Sequence, residues 1–251
     1  AGFDENLTLP AHYYTSPEIF EEELERIFYS KWIYVACEAD LPKAGDYVAL
    51  KLGTRSFFLQ RNESGVIHGF YNTCRHRGHE LVSGEKGNCK RLICPYHNWA
   101  YELDGRLKVA RGMDPGFNKE DYGLNPINVA VIGGLIYVCL NSPAPADIEE
   151  VRNRLTPYLA PYELPSTKIA CQKDIIEATN WKLVIENNRE CLHCNSNHPE
   201  LLVPLYSSGF GKGLDKDNIQ ADERRFQEAL QLKEKEWESL DLPFELQEFP
   251  D

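Results

Sequence analysis

Residues 74–99 read CRHRGHELVSGEKGNCKRLICPYHNW and contain two closely spaced Cys-His pairs, Cys74 with His76 and Cys94 with His97. Two thiolates and two imidazoles can bind one tetrahedral zinc ion. They can also share two irons, with both cysteines on one iron and both histidines on the other. The spacing alone leaves both alternatives open. Both segments continue into predicted β structure rather than into the helix of a zinc finger.

Short β-rich runs separated by turn residues surround the two pairs. The predicted strands are 47–52, 57–59, 66–71 and 135–140. The Asp104-Gly105 pair marks a hairpin, because this dipeptide suits a tight turn between antiparallel strands. Residues from about 40 to 140 are therefore predicted to form a small antiparallel β domain.

Helical patterns lie on both sides of this β domain. Pro17 is a typical first residue of a helix, and apolar residues follow it at helical spacing over 20–28. After a Pro-containing boundary near Pro143, the helical spacing resumes over 148–159, and a strand is predicted over 169–176 before further helices. The sequence therefore predicts the α+β class, without internal repeats.

A second group of candidate ligands follows Asn180, which is a natural helix cap. Glu186, Glu190 and His193 are spaced so that one continuous helix places them on the same face. His198 lies five residues after His193, so both can bind one metal only where the helix loosens. Two histidines and a carboxylate leave open positions on a ferrous ion, the arrangement of non-haem Fe(II) oxygenases.

Each of these histidines, taken singly, is more often a surface or core residue without chemistry. Cys191 and Cys194 could also form a redox CxxC pair, although no thioredoxin-like βαβ context surrounds them. The remaining cysteines at positions 37, 89, 139 and 171, and His79, lack a partner at ligand spacing. We assign them no chemistry.

Charge and composition exclude several classes of protein. The formal net charge of −12 disfavours nucleic acid and anionic lipid as partners. We expect no secretory signal in the acidic first ten residues, and the apolar run 129–140 is too short to span a membrane. The eight cysteines therefore favour metal binding in a reducing cytoplasm over a disulfide framework.

The segments CRHRG and CPYHNW closely resemble the paired ligand loops of the Rieske non-haem iron oxygenases. The resemblance implies that Cys74, His76, Cys94 and His97 hold a [2Fe–2S] cluster. It also implies three segments: an N-terminal helical segment at 1–39 that packs with the catalytic domain, a Rieske domain at 40–141, and the first part of a helix-grip-like catalytic domain at 142–251. The Rieske domain would precede, or be inserted in, that catalytic domain.

The string ENNRECLHCNSNHPEL at 186–201 matches the catalytic domain of the same family. The resemblance implies that His193 and His198 bind a mononuclear Fe(II), and that Glu190 stands where the family has a bridging carboxylate, usually Asp. In the family, this carboxylate hydrogen-bonds a Rieske histidine of the neighbouring subunit in a homotrimer. The third iron ligand, a downstream Asp, has no match here, so we expect the catalytic domain to be incomplete in these 251 residues.

The implied reaction takes electrons from NAD(P)H through a flavin or iron-sulfur reductase and uses O₂ to oxidise a small substrate. Within the family, the same string is most similar to the glycine betaine monooxygenase and stachydrine demethylase group, which oxidises an N-methyl group and releases formaldehyde. Two alternatives remain: an aromatic-ring-hydroxylating α subunit, with or without a β subunit, and a non-enzymatic Rieske electron carrier.

Overall fold

The computed structural model describes residues 8–189, 197, 228, 231, 232 and 234–239. The chain divides into two compact units. The larger unit is Pro17–Lys173, and the smaller one combines Ala1–Ser16 with Asp174–Asp251. The predicted boundaries at residues 39 and 141 stay a prediction.

Ten antiparallel β-strands form two sheets in the larger unit. The strands are β1 Ile33–Cys37, β2 Asp46–Leu52, β3 Arg55–Arg61, β4 Ile67–Tyr71, β5 Lys86–Asn88, β6 Leu92–Ile93, β7 Ala100–Tyr101, β8 Leu107–Val109, β9 Pro126–Ile132 and β10 Leu135–Cys139. The large sheet has the order β1-β10-β9-β4-β3-β2-β5, and the small sheet has the order β6-β7-β8. The prediction of an antiparallel β domain is confirmed.

The interior strand β3 shows how the large sheet is stabilised. Phe57 and Leu59 pack into one apolar cluster, whereas Phe58 between them packs into a second cluster. Successive side chains of a strand point to opposite faces, so β3 is buried on both faces and its apolar residues run without alternation. Each such buried side chain contributes about 1.5–3 kcal/mol relative to an exposed one.

The helices whose bounds the described residues give are short. They are α1 His12–Thr15, α2 Pro17–Glu23, α3 Ile148–Leu159 and α4 Trp181–Arg189, and α2 continues into a wider π-helical turn at Leu24–Phe28. Single 3₁₀ turns occupy Glu38–Asp40, Lys119–Tyr122, Ala160–Tyr162 and Leu164–Ser166. Pro17 is the first residue of α2, and α3 covers the predicted range, so both helix predictions are confirmed.

The four predicted strands correspond to β2, β3, β4 and β10 within one or two residues at each end. The predicted hairpin is also present, since Gly105 lies between β7 and β8 with a φ of +85°. The sequence reading did not identify β1 as a separate strand. This strand precedes residue 40 and pairs with β10, so it belongs to the large sheet.

The strand predicted over 169–176 is wrong, because these residues form no strand in the structure. Ile175 and Ile176 are 71% and 94% exposed. A strand is held by hydrogen bonds to a neighbouring strand, and no described strand pairs with this segment. The apolar pattern alone does not supply such a partner.

The N-terminal end of α4 is fixed within the smaller unit. Asn180 Oδ1 accepts a hydrogen bond from the Lys182 backbone N–H at 3.0 Å, which confirms the predicted cap. The Asn180 side-chain amide also donates to the carbonyl of Tyr14 at 3.0 Å, and the Tyr14 hydroxyl donates to Glu186 at 2.8 Å.

None of the described helices combines the length and the apolar character that a membrane span requires.

Candidate metal centre

The first predicted ligand loop, which we call loop 1, follows β4 and comprises residues 74–79. The backbone N–H of Cys74 donates to the carbonyl of His79 at 2.8 Å. The N–H of Gly78 donates to the carbonyl of Cys74 at 3.0 Å. These two bonds close a tight turn that leaves the side chains of Cys74 and His76 on the same loop.

The second predicted ligand loop, which we call loop 2, comprises residues 94–99 between β6 and β7 and repeats this pattern. The N–H of Cys94 donates to the carbonyl of Trp99 at 2.8 Å, and the N–H of Asn98 donates to the carbonyl of Cys94 at 3.0 Å. Asn98 and its counterpart Gly78 both have a left-handed backbone, with φ of 57° and 72°. Glycine and asparagine adopt this conformation most readily. The two loops therefore share the same backbone hydrogen bonds and the same left-handed position.

Of the four predicted cluster ligands, the two cysteines are buried and the two histidines are partly exposed to solvent. Cys74 and Cys94 are each 2% exposed, whereas His76 and His97 are partly exposed. The two imidazole rings lie 4.6 Å apart between centroids, at 76° to each other. The structure therefore brings together both Cys-His pairs that the sequence indicates.

The two histidines each present a buried nitrogen that lacks a hydrogen-bond partner among the described residues. These atoms are the Nδ1 atoms of His76 and His97. Leaving a buried polar atom unsatisfied costs about 1–3 kcal/mol, and ligation of a metal removes this cost. The donor set of two thiols and two such nitrogens therefore fits a [2Fe–2S] cluster.

The described residues contain no group of three or more His, Cys, Asp or Glu side chains already placed to hold a metal ion. The fit of the two Cys-His pairs to a cluster therefore rests on the chemistry of their donor atoms.

The surroundings favour the metal-binding form of His76 and disfavour that of Cys74. Desolvation lowers the pKa of His76, and the nearby His97 and Arg77 lower it further, so its imidazole stays neutral. Burial raises the pKa of the Cys74 thiol. A thiolate at this position therefore needs a compensating cation, which a bound iron supplies.

Tyr101 is a further residue of the site that the sequence reading missed. Its hydroxyl oxygen accepts a hydrogen bond from the Arg75 N–H at 3.1 Å and lies 3.3 Å from Cys74 Sγ. The sulfur of a Cys74 thiolate that binds iron has no proton, so the Tyr101 hydroxyl would then donate its proton to that sulfur. Burial raises the pKa of Tyr101, so it remains a donor. The only signal in the sequence was that Tyr101 follows loop 2 with one residue between them.

We expect Tyr101→Phe to lower the reduction potential of a cluster bound here by about 40 mV, equivalent to about 1 kcal/mol for one electron. Reduction adds negative charge, so the lost hydrogen bond had stabilised the reduced form more strongly. A redox titration followed by electron paramagnetic resonance (EPR) measures the shift. Tyr47→Phe is the control, because Tyr47 packs against the same apolar cluster and its hydroxyl donates to the carbonyl of Ser83, its one hydrogen bond among the described residues. Equal shifts in both variants would contradict this role.

The second predicted site lies outside the described residues, since Glu190, His193 and His198 are all among those that the structure leaves undescribed. Their roles stay predictions. Glu186, from the same predicted helix face, is described and exposed, and it accepts the hydrogen bond from Tyr14.

The cysteines to which the sequence assigned no chemistry are separate from the two loops. Cys37, Cys89, Cys139 and Cys171 are free thiols. Cys89 Sγ accepts a hydrogen bond from the side-chain amide of the buried Gln60 at 3.2 Å. This contact places Cys89 against β3 rather than at the candidate metal centre.

Two family models match the chain and together span most of it. The first describes the Rieske [2Fe-2S] domain and matches residues 31–130. The second describes the catalytic domain of the ring hydroxylating alpha subunit and matches residues 162–238. The chain belongs to the Rieske oxygenase family. The predicted α+β fold, with an antiparallel Rieske domain beside a catalytic domain, is confirmed with it.

Relatives in the Rieske oxygenase family include an oxygenase subunit of glycine betaine monooxygenase from Chromohalobacter salexigens. It is 40% identical over 244 residues, which are 96% of this chain and 53% of that protein. The chain thus spans about half the length of the curated relatives it matches.

Solved structures of the same family are similar as well. The quaternary ammonium Rieske monooxygenase CntA in complex with L-carnitine has a TM-score of 0.69 at 32% identity, covering 79% of this chain and 57% of that one. Naphthalene 1,2-dioxygenase from Rhodococcus sp. has a TM-score of 0.68 at 33% identity, covering 79% and 47%.

Proposed function

We propose that this chain is part of the oxygenase subunit of a Rieske monooxygenase that oxidises an N-methyl group of a small quaternary ammonium compound, such as a betaine. The two matching loops with their buried thiols and unsatisfied imidazole nitrogens are the single observation that carries the redox part of this proposal. Similarity to glycine betaine and carnitine monooxygenase subunits supports the substrate class.

We assign the cluster ligands to Cys74, His76, Cys94 and His97, and the mononuclear iron ligands to His193 and His198. When bound, the cluster stores and passes on single electrons, and the mononuclear iron activates O₂. The chain's own residues set the conditions for this chemistry. Tyr101 would donate to the Cys74 thiolate, burial keeps water from the sulfurs, and the residues around His76 keep its imidazole neutral.

The proposed reaction balances with two electrons and two protons. One oxygen atom of O₂ enters a C–H bond of the N-methyl group, and the other leaves as water. The resulting hydroxymethyl group breaks at its C–N bond and releases formaldehyde, a proton and the demethylated amine. The electrons would come from NAD(P)H through a separate flavin or iron-sulfur reductase, and the similarity to proteins named as oxygenase subunits supports such a partner.

We further propose a homotrimer, in which Glu190 connects the mononuclear site of one subunit to a Rieske histidine of its neighbour. Inter-subunit electron transfer is described for a quaternary ammonium Rieske monooxygenase of this family. The Glu190 carboxylate could accept a hydrogen bond from an imidazole N–H, which a neutral ligated histidine retains on its free nitrogen. A cytoplasmic location remains a prediction from the cysteine pattern.

Metal analysis and product analysis of the purified protein with a reductase test the proposal. The expected result is one iron per chain beyond the two of the cluster, a Rieske signal after reduction, and formaldehyde released from glycine betaine or carnitine. A colourless protein that contains zinc would overturn the cluster assignment. A protein holding only the two cluster irons would be the electron carrier of the alternative prediction.

The second candidate function is hydroxylation of an aromatic ring, which the similarity to naphthalene 1,2-dioxygenase favours. Both reactions use the same proposed metal ligands and differ in the substrate pocket. Formation of a diol from naphthalene without formaldehyde from betaines would select this candidate.

A further inference from the structure

Three of the four buried side-chain polar atoms that lack a hydrogen-bond partner in the described part of the chain belong to loops 1 and 2. Two of them are the Nδ1 atoms of His76 and His97, which ligation of iron would satisfy. The third is the indole Nε1 of Trp99, which carries a proton and acts only as a donor. The fourth, Gln60 Oε1, lies on β3 outside both loops. The proposed ligand set therefore leaves the N–H of Trp99 to be explained.

Trp99 packs directly against a candidate cluster ligand. Its indole stacks on the ring of His76, with 4.8 Å between the centroids and 9° between the planes. Phe117 and Tyr122 meet the same indole edge to face, at 5.6 and 6.0 Å. The backbone carbonyl of Trp99 accepts the hydrogen bond from the Cys94 N–H that closes loop 2. The residue therefore closes loop 2 with its backbone and contacts loop 1 with its ring.

The unsatisfied N–H makes tryptophan a costly residue at this position. Trp99 is 1% exposed, and a buried donor without an acceptor costs about 1–3 kcal/mol. Phenylalanine would supply an aromatic ring to the same group of apolar side chains without this cost. Native proteins leave few such groups unsatisfied. An acceptor for the Trp99 N–H is therefore expected when the protein holds its cofactor.

The side chains around Trp99 are poor acceptors. The faces of Phe117 and Tyr122 can accept an N–H, but such contacts are weak. A buried water needs several polar partners of its own, and Trp99 lies in a group made mostly of apolar side chains. The sulfur atoms of a [2Fe–2S] cluster carry negative charge and are the strongest acceptors that the proposed function brings to this site.

We propose that the Nε1–H of Trp99 donates a hydrogen bond to a sulfide of the [2Fe–2S] cluster. This inference rests on the proposed function, because the cluster supplies the acceptor. Two ferric ions, two sulfides and two thiolates carry no net charge together, and one added electron makes the cluster negative. A donor beside a sulfide stabilises the reduced form more than the oxidised form. Trp99 therefore raises the reduction potential of the cluster.

Labelling with ¹⁵N tests for the hydrogen bond itself in the full protein with its cluster. The chain has four tryptophans, and feeding tryptophan that carries ¹⁵N only in the indole labels their Nε1 atoms alone. Pulsed EPR of the reduced cluster should detect a weak coupling to one labelled nitrogen. Trp99→Phe should abolish this coupling. Trp32→Phe is the matched control and should keep it, because the Trp32 N–H donates to the carbonyl of Pro145 at 3.0 Å.

The reduction potential provides a second measurement. Trp99→Phe should lower the equilibrium constant for one-electron reduction about fivefold, which is about 40 mV at about 59 mV per tenfold change. Trp32→Phe should leave it unchanged. Because phenylalanine is also smaller than tryptophan, benzothienylalanine at position 99 isolates the N–H: it keeps the size of the indole and replaces only the N–H by sulfur. It should give the same shift, and it keeps the test valid if Trp99→Phe does not fold.

Several results would overturn the inference. A normal Rieske EPR signal without any ¹⁵N coupling would do so, as would a coupling that survives Trp99→Phe. An unchanged potential with benzothienylalanine would leave the N–H to an aromatic face, and a shift in Trp99→Phe alone would then report packing. Absence of the Rieske signal from the unaltered protein would instead be a failure of the proposed function, so the two failures are distinguishable.

Discussion

Cys94→Ser is expected to yield a protein without the [2Fe–2S] cluster, whereas Cys89→Ser keeps it. Cys94 is 2% exposed and lies in loop 2, and its sulfur would be one of the two thiolate ligands that we propose for the cluster. A serine oxygen is a harder and more basic donor than a thiolate, and iron-sulfur clusters select soft ligands. The visible absorption and the EPR signal of the purified variant measure the loss.

The same substitution should also destabilise the β domain. Binding of a structural metal contributes on the order of 10 kcal/mol to small metal-dependent folds, and the loss leaves the Nδ1 atoms of two histidines buried without a partner. The melting temperature of Cys94→Ser should therefore fall well below that of Cys89→Ser. Serine at position 89 can still accept the hydrogen bond from Gln60, which makes it a matched control. Loss of the cluster in both variants, or in neither, would contradict the ligand assignment.

The two loops that carry the proposed ligands were predictable as loops, because the residues that determine their conformation are close together in the sequence. Each loop is six residues long and closes on its own backbone hydrogen bonds, so the Cys-His spacing and the Gly or Asn at the left-handed position are visible in the sequence. The helix starts at Pro17 and Asn180 were predictable for the same reason, since proline at the first helical position and an asparagine cap act within a few residues.

Contacts between distant segments were not predictable. β1 is a strand of the large sheet only because β10, about a hundred residues later, pairs with it. Residues 169–176 have a similar apolar character but no described partner, so the same local pattern gives a strand in one place and none in the other. Tyr101 shows the same limit within the site, because its role depends on two atoms of loop 1 that come together only in the fold.

The aromatic rings around the two loops are a further feature without a sequence signal. Trp99 is visible in the sequence as a flank of the second Cys-His pair, but its stacking on His76 joins loop 2 to loop 1. Phe117 and Tyr122, from the segment before β9, pack edge to face against Trp99. The proposed ligands can thus be named from the sequence, whereas the residues that surround them follow from tertiary packing.

His193→Ala is expected to abolish turnover while leaving the spectrum of the cluster intact. The substitution removes one of two proposed imidazole ligands of the mononuclear iron, and the four proposed cluster ligands lie in loops 1 and 2, far away in sequence. The iron content should fall by one atom per chain, and formaldehyde release should drop below detection. Iron analysis, the EPR signal and a formaldehyde assay on the same sample measure the three quantities.

Two carboxylate variants from the same segment test whether the loss of turnover is specific to the proposed iron ligand. Glu190→Gln should keep the mononuclear iron and slow the transfer of electrons between the centres, because an amide carries no charge and accepts a weaker hydrogen bond from an imidazole. Glu186→Gln should keep both iron and turnover, since Glu186 is exposed and only accepts from Tyr14 in the described part of the chain. If His193→Ala and Glu190→Gln lost the cluster spectrum to the same extent, these residues would support the cluster itself, and the division into two iron centres would fail.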